Sequence, residues 1–151
     1  MMTLNIVERP AATVVGLQIR TLPMSPDIPA LWPRFVARIG EIANPAETAV
    51  TYGVMQSREG GLDYLAAIAV TSADAVPPGM TVQILPAGAY ACFSYPLSGL
   101  AAGFAEIHER LLPASGHVQR PGPSFERYGA DFCPDDPASL VEIWLPVAPK
   151  A

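Results

Sequence analysis

The chain has 151 residues, which fits one folded domain, and half of its residues are hydrophobic, enough for a substantial core. Its formal net charge is -5 at pH 7, from 14 acidic residues against 9 lysines and arginines, with no basic stripe. A nucleic-acid surface needs clustered Lys or Arg, so the composition argues against direct nucleic-acid binding. An acidic protein is instead a suitable host for cations, because its field raises their local concentration.

Cysteine usage and the N-terminal sequence exclude further classes of protein. Cys92 and Cys133 lie far apart, without the CxxC or histidine spacing of a zinc site, so we predict no disulfide scaffold, no metal and no cofactor. The N-terminal residues lack the apolar segment of a signal peptide, and no run of about 18 apolar residues occurs. We therefore expect a cytoplasmic protein with no membrane contact.

The first half of the chain contains four segments with the β-branched and aromatic content of strands, two on each side of a helical stretch. Turn-forming residues separate the members of each pair: Pro-Ala between the first two, and Glu-Gly-Gly between the last two. The predicted strands are 4–8, 13–20, 50–56 and 62–70.

Between these strand pairs, apolar residues recur at helical spacing from Ile28 to Ile42. Asp27 is placed to cap the start of this helix. Pro33 lacks the N–H that a helix interior needs, so the sequence predicts a kink there or a start near Trp32.

A linker at 71–79, rich in proline and glycine, precedes a second half with the same plan. Its helix is predicted at 98–112, with Ser98 as the N-cap. The apolar face of that helix consists of Leu100, Phe104, Ile107 and Leu111. The predicted strands of this half are 81–85, 89–95, 124–128 and 140–147.

Matching positions in the two halves indicate an internal duplication. The matched pairs are Pro10 and Pro86, Tyr52 and Tyr128, Leu31 and Leu100, and Phe35 and Phe104. The sequence therefore predicts one α+β domain over 1–151, made of ββαββ halves at about 1–75 and 76–151. Two helices cannot cover both faces of an eight-stranded sheet, so the helix-free face must be open, grooved or buried on a partner.

The last predicted strand places a carboxylate and an indole on one side. Its aliphatic residues fit against the helices; they are Val141, Ile143, Leu145 and Val147. Glu142 and Trp144 alternate with them and so point to the helix-free face. The repeat aligns Ala67 with Trp144, and a small residue facing an aromatic one leaves room for a guest. A carboxylate among aromatic rings suits a hydrophobic cation, since each cation–π contact contributes about 0.5–2 kcal/mol.

Simpler interpretations of the same residues remain open. Glu142 can be a solvated residue on an exposed sheet face, with Trp144 covering apolar surface. Glu126 and Tyr128 share one side of strand 124–128, yet Tyr128 and Tyr52 can be ordinary strand aromatics. The alternation alone does not choose between these interpretations.

Short segments in a fixed order along nearly the whole chain carry a family resemblance. They are Ile6-Val7-Glu8-Arg9-Pro10-Ala11, Val15-Gly16-Leu17, Ile28-Pro29-Ala30-Leu31-Trp32 with Phe35, Tyr52-Gly53-Val54, Asp63-Tyr64, Leu85-Pro86-Ala87-Gly88-Ala89-Tyr90 with Phe93, Phe125-Glu126-Arg127-Tyr128 and Val141-Glu142-Ile143-Trp144-Leu145-Pro146-Val147. In these segments the chain resembles the GyrI-like small-molecule-binding family, also found as the effector-binding domain of AraC- and MerR-type regulators. The resemblance implies tandem repeats with pseudo-twofold symmetry, an antiparallel sheet with two helices on one face, and a central ligand groove.

The resemblance also implies that a buried glutamate and aromatic residues hold lipophilic, often cationic, compounds. The candidate ligand-binding residues are Glu142, Trp144, Glu126, Tyr128, Tyr52, Trp32, Ala67 and Phe93. Glu126 and Glu142 both occupy motif positions, and the choice between them stays open. The sequence leaves the oligomeric state open as well.

Three functions fit this pattern. The first is a stand-alone binding protein that senses or sequesters a lipophilic small molecule; since no helix-turn-helix segment is visible, we expect no direct transcription control. The second is a hydrolase of cyclopropanoid or other electrophilic compounds, with Glu142 or Glu126 as the catalytic general base. The third is a protein-interaction or inhibitor module, which would need a flat apolar sheet face in place of a groove.

Overall fold

The computed structural model describes residues 5–23 and 25–150 and has two layers, a nine-stranded antiparallel sheet and two helices. The strands are β1 Asn5–Arg9, β2 Ala12–Thr21, β3 Thr51–Arg58, β4 Gly61–Val70, β5 Thr81–Leu85, β6 Gly88–Pro96, β7 His117–Gln119, β8 Ser124–Tyr128 and β9 Leu140–Pro149. The helices are α1 Asp27–Val36 and α2 Leu100–Glu106, and α2 continues as a π-helical segment, Ile107–Leu111. The predicted α+β class is confirmed; Leu4, the predicted start of the first strand, lies outside the described residues.

The strand order is β1-β6-β9-β8-β3-β4-β2-β5, with β7 paired to β9. Four strands of the first half have counterparts in the second half: β1 and β5, β2 and β6, β3 and β8, and β4 and β9. Exchanging the counterparts gives the same order read from the other end of the sheet. Each half lends its first strand to the other, because β1 pairs with β6 and β5 pairs with β2. The halves also join through the pairing of β3 with β8, which are therefore the two central strands.

The predicted limits of the first helix are wrong at its C-terminal end. α1 ends at Val36, and the apolar residues after it belong to a 3-10 turn, Ile39–Glu41, and to the segment that follows. Arg38 lies outside helical geometry, and its guanidinium binds Glu41 and the carbonyl of Pro78.

The start of α1 also differs from the prediction. The helix begins at Asp27, so the delayed start near Trp32 is wrong, and Pro33 is accommodated on an exposed face. Pro26 occupies the N-cap position, and Asp27 lies in the first turn, where its carboxylate accepts a hydrogen bond from Thr21 at 3.3 Å. An acidic residue there complements the helix dipole without capping the helix.

In the second half, the N-cap is Gly99 and not Ser98. The chain enters α2 through a 3-10 turn, Leu97–Gly99, and the Ser98 N–H donates to the carbonyl of Pro137. The short strand β7 is absent from the sequence-based prediction, because three residues are too few to show a period.

Each helix packs on its own part of the sheet. Leu31 and Phe35 of α1 are buried against residues of β2 and β4, and Ile107 after α2 is buried against β6 and β9. The predicted orientation of the last strand is confirmed, since Ile143 and its alternating aliphatic neighbours face α2 while Trp144 faces away.

The helix-free face is filled by the protein's own side chains, and this corrects the expectation of an open or grooved face. One buried cluster joins Val14 and Leu85 from one end of the strand order to Tyr90 and Cys92 from the other. These residues meet because the sheet curls strongly, as twisted antiparallel sheets do. No helix in the described ranges is long and apolar enough to cross a bilayer.

Candidate functional site

The two helices pack on different strands of the same face of the sheet, and we name the strip of sheet between them the valley. α1 contacts β2 and β4, whereas α2 contacts β6, so the central strands β3 and β8 lie between the two helices. On the floor of this valley Gly53 of β3 is paired with Glu126 of β8. The valley therefore lies where the two halves of the chain meet.

Glu126 is held by two tyrosines. Its Oε1 accepts a hydrogen bond from the Tyr64 hydroxyl at 2.8 Å and another from the Tyr128 hydroxyl at 2.7 Å. The indole N–H of Trp32, on α1, donates in turn to the Tyr64 oxygen at 3.2 Å. This series of hydrogen bonds, from Trp32 through Tyr64 to Glu126, fixes the carboxylate relative to α1.

The second carboxylate oxygen of Glu126 is differently placed. Glu126 is only 7% exposed, and Oε2 forms none of the side-chain hydrogen bonds found among the described residues. Among the described residues, the carboxylate is thus anchored through Oε1.

The Glu126 carboxylate has no ion-pair partner among the described residues. None of the ion pairs formed by the described residues includes it. Burial raises the pKa of the Glu126 carboxyl, and the hydrogen bonds from Tyr128 and Tyr64 oppose that rise. Burial and the neighbouring carboxylate raise the pKa of both Tyr64 and Tyr128, so both hydroxyls stay protonated as donors.

Two further aromatic rings pack against the tyrosines that hold this carboxylate. Trp32 meets Tyr128 edge to face with a centroid distance of 5.3 Å, and it meets Tyr64 at 6.4 Å. Phe132, in the loop after β8, packs on the other side of Tyr128 at 4.8 Å. We name Glu126, Trp32, Tyr64, Tyr128 and Phe132 the valley cluster.

Glu142 lies on the opposite face of the sheet and is already paired. Its Oε1 accepts a hydrogen bond from the Trp144 indole at 3.1 Å and lies 3.4 Å from Nη1 of Arg127. Arg127 also binds Glu47 at 3.3 Å, and the Tyr52 hydroxyl donates to Glu47 at 2.5 Å. Arg127 is thus shared by two carboxylates, Glu142 and Glu47.

Trp144 is likewise occupied by protein groups. Its ring stacks on Phe125 with centroids 5.9 Å apart and planes 8° apart. The Arg9 guanidinium lies 4.6 Å from the Trp144 centroid and 5.1 Å from that of Phe125. The cation that the sequence predicts over this indole is therefore supplied by the chain itself.

A polar hollow of about 440 Å³ lies at the end of β3 beside the turn before β8. Its lining includes Gln56, Gln119, Arg120 and Ser124, and neither Glu126 nor Glu142 contributes to it. In the part of the chain that the structure describes, no group of three or more His, Cys, Asp or Glu side chains is placed to hold a metal ion.

The sequence matches the family of GyrI-like small molecule binding domains over residues 2–148. The chain belongs to this family. The transcriptional regulator BrlR of Pseudomonas aeruginosa is 35% identical over 147 residues, which are 95% of this chain and 54% of BrlR. The GyrI-like chain thus spans about half the length of the curated relative that it matches.

Solved structures share the GyrI-like fold. SAV2435 bound to tetraphenylphosphonium superposes with a TM-score of 0.76 and 20% identity, covering 97% of this chain and 94% of that chain. A transcription regulation protein from Staphylococcus aureus MU50 superposes with a TM-score of 0.75 and 19% identity, covering 97% of this chain and 99% of that one. At these identities the similarity establishes the fold.

The GyrI-like structure divides the predicted site residues into three places. It brings together Glu126, Tyr128 and Trp32 in the valley. It places Glu142, Trp144, Tyr52 and Ala67 on the helix-free face, where Ala67 is fully buried beside its strand partner Tyr52. Phe93 lies beneath α2 and is 1% exposed, so its ring belongs to the core of the second half.

Two members of the valley cluster were missed by the site prediction. Tyr64 belongs to β4, which is buried almost throughout, so no alternation marks its face, although Asp63-Tyr64 is one of the segments that carry the family resemblance. Phe132 lies in an irregular loop, where no period exists to place it. Only its aromatic type in a loop rich in Asp and Pro could have drawn attention to it.

Proposed function

We propose that this GyrI-like domain binds lipophilic organic cations in the valley, with Glu126 as the counter-charge. The observation that carries the proposal is a buried carboxylate that accepts hydrogen bonds from two neutral hydroxyls and forms none of the ion pairs among the described residues. Burying an unpaired carboxylate is costly, and a bound cation offsets that cost. In this proposal the predicted ligand groove is the valley, which lies on the helix side of the sheet.

The lining of the valley favours a cation of low hydration. The rings of Trp32, Tyr64, Tyr128 and Phe132 offer dispersion and cation–π attraction but few hydrogen-bond acceptors. A compact, strongly hydrated ion would lose water without replacing it. A delocalised cation with aryl substituents loses little hydration and gains contact with every ring.

Glu142 is a weaker candidate because it already has an arginine partner. A guest cation there would have to compete with Arg127 for the carboxylate and with Arg9 for the Trp144 ring. Both exchanges replace one cation by another, so they offer little net gain. The geometry therefore favours Glu126 of the two glutamates that the sequence left open.

The relatives support the same class of ligand. SAV2435, of similar fold, has tetraphenylphosphonium bound, an aryl cation of the kind that the valley cluster suits. The matched relative BrlR is a transcriptional regulator, and the chain corresponds to about half of it. Sensing and sequestration of a lipophilic compound are the two roles that this binding would serve.

Calorimetric titration with tetraphenylphosphonium tests the proposal. We expect a dissociation constant of about micromolar order, corresponding to roughly 8 kcal/mol, and no binding of neutral triphenylphosphine oxide at the same concentration. Because the cation pairs with the ionised carboxyl, affinity should rise as the pH rises through the Glu126 pKa and then level off. Equal binding of the two compounds, or affinity that falls with rising pH, would contradict the role of Glu126.

The valley rings touch one another, so a phosphonium ion of this size has to separate them. Phe132 is the ring carried by a loop, and its displacement breaks no strand or helix. We therefore expect ligand binding to move Phe132 and its loop more than Tyr128 or Trp32.

A buried glutamate with a raised pKa also suits a general base, which is the hydrolase alternative. Mass spectrometry of a cyclopropanoid compound recovered after incubation separates the two functions. Addition of one water to the compound, lost on Glu126→Gln substitution, would replace binding by hydrolysis as the function of the valley.

A further inference from the structure

Tyr64 and Glu126 touch although their strands do not pair. Tyr64 lies on β4 and Glu126 on β8, and β3 runs between them. Neighbouring strands are about 4.8 Å apart, so roughly 10 Å separates the backbones of β4 and β8. The tyrosine hydroxyl is nevertheless 2.8 Å from the carboxylate, so the Tyr64 side chain crosses over β3.

The crossing takes place above Gly53. In the sheet register Gly53 pairs with Glu126 on one side and with Ala66 on the other, and Tyr64 is two residues from Ala66 on the same face. A Cβ atom added at position 53 would lie 2.1 Å from the Tyr64 hydroxyl oxygen and 2.6 Å from Oε1 of Glu126. Atoms that are not bonded to each other do not approach so closely, so any side chain at 53 would displace the tyrosine or the glutamate.

Backbone conformation does not explain this glycine. Gly53 is absent from the glycines with positive φ, so its backbone is one that other residues adopt. What position 53 provides is space over the central strand.

We propose that Gly53 is a positioning residue of the valley: its missing side chain lets Tyr64 reach across β3 and hold Glu126 for a bound cation. This inference rests on the proposed function for its effect on ligand affinity. The positioning itself is a property of the protein alone, so it can be measured without ligand.

Alanine at position 53 should act through Tyr64. Its methyl group would push the hydroxyl away, and Glu126 would lose one of the two donors that favour its ionised form. The carboxyl pKa should then rise further, in the same direction as in Tyr64→Phe. Below the pKa, each unit of rise lowers the ionised fraction about tenfold, and cation affinity should fall with it.

The experiment is a double-mutant cycle with Gly53→Ala, Tyr64→Phe and the double variant, with Gly40→Ala as the matched control. A methyl group added at Gly40 would meet no atom within 4 Å, and this glycine lies in an exposed turn, so its substitution tests the effect of the residue type alone. Two quantities are measured: the Glu126 pKa, by carboxyl NMR over a pH titration, and the affinity for tetraphenylphosphonium, by calorimetry at pH values below and above that pKa.

We expect Gly53→Ala and Tyr64→Phe each to raise the Glu126 pKa and to weaken binding at pH values below that pKa, about tenfold for each unit of rise. The double variant should be no weaker than the worse single one. Gly40→Ala should behave as the unsubstituted chain. An unchanged Glu126 pKa in Gly53→Ala, or costs that add fully in the double variant, would overturn the inference.

If Gly53→Ala does not fold, the same substitution is made in the Tyr64→Leu variant. In Tyr64→Leu the ring that would meet the methyl group is removed, and the Glu126 carboxylate, no longer held by Tyr64, can turn away from the methyl group. Gly53→Ala should therefore fold there and add little further loss of affinity. Failure to fold in that background as well would show that the sheet itself needs Gly53, and would overturn the inference. If the Glu126 pKa changes as expected but tetraphenylphosphonium does not bind the unsubstituted chain, the proposed function fails and the positioning role stands.

Discussion

Glu126→Gln is expected to weaken tetraphenylphosphonium binding about a hundredfold, which corresponds to roughly 2.7 kcal/mol. Glutamine keeps a carbonyl oxygen that can accept hydrogen bonds from Tyr64 and Tyr128, so the shape of the valley is retained. What is lost is the negative charge opposite a desolvated cation, and removing one partner of such a pair costs about 2–5 kcal/mol. Calorimetry at pH 7.5 provides the measurement.

Glu142→Gln is the matched control for this variant. It makes the same chemical change on the opposite face of the sheet, where Arg127 and Trp144 hold the side chain. We expect its affinity for the phosphonium ion to stay within about threefold of the unsubstituted chain, because Glu142 lies on the face opposite the valley. The fold should also be kept, since a partly exposed ion pair contributes little to stability. A larger loss in Glu142→Gln than in Glu126→Gln would place the ligand on the helix-free face.

The stability of Glu126→Gln separates loss of binding from loss of folding. The folded-state pKa of Glu126 is raised above its ordinary value, so the carboxyl contributes stability below the unfolded pKa and loses it as the pH rises through the folded pKa. Glutamine cannot ionise and does not show this loss. Without ligand, the variant should therefore be at least as stable as the unsubstituted chain near neutral pH.

Trp144→Ala is expected to lower the free energy of unfolding by about 3–5 kcal/mol, the usual cost of removing a buried large aromatic. The indole is 8% exposed, stacks on Phe125 and carries the Arg9 guanidinium, and its N–H binds Glu142. Chemical denaturation measures the loss. Phosphonium affinity at a temperature where the variant is folded should change little.

Trp32 offers the matched comparison, since the chain contains two tryptophans. Trp32 is only half-buried and contacts Tyr64 and Tyr128 in the valley. Trp32→Ala should therefore cost less stability than Trp144→Ala and more ligand affinity. The reverse ranking would mean that the helix-free face is the binding surface. If Trp144→Ala does not fold, Trp144→Phe keeps most of the packing and allows the same comparison of affinities.

The sequence predicts the plan of the fold well because the relevant signals are periodic. Alternation along 140–147 assigns Ile143 to the helices and Trp144 to the other face, and the structure agrees. Repeated turn residues and helical spacing locate four strands and one helix in each half. Helix ends were less predictable. Arg38, just beyond the end of α1, binds the carbonyl of a residue forty positions away, and a local sequence pattern does not show that contact.

The choice of glutamate could not be predicted in the same way. Alternation shows that Glu126 shares a side with Tyr128 and Glu142 with Trp144, but it does not show which glutamate faces the helices or which has an arginine partner. Arg127 is next to Glu126 in sequence yet projects to the other face and pairs with Glu142. Arg9 reaches Trp144 from a strand that is distant in sequence. These pairings depend on how the sheet curls, which a linear pattern does not encode.

The position of a bound cation tests the central claim most directly. In a crystal structure of the complex with tetraphenylphosphonium, we predict the phosphorus within about 6 Å of the Glu126 carboxylate, among the rings of Trp32, Tyr64 and Tyr128. Arg9 should remain stacked on Trp144. A phosphonium ion seated against Trp144 and Glu142, with Arg9 displaced, would contradict the account.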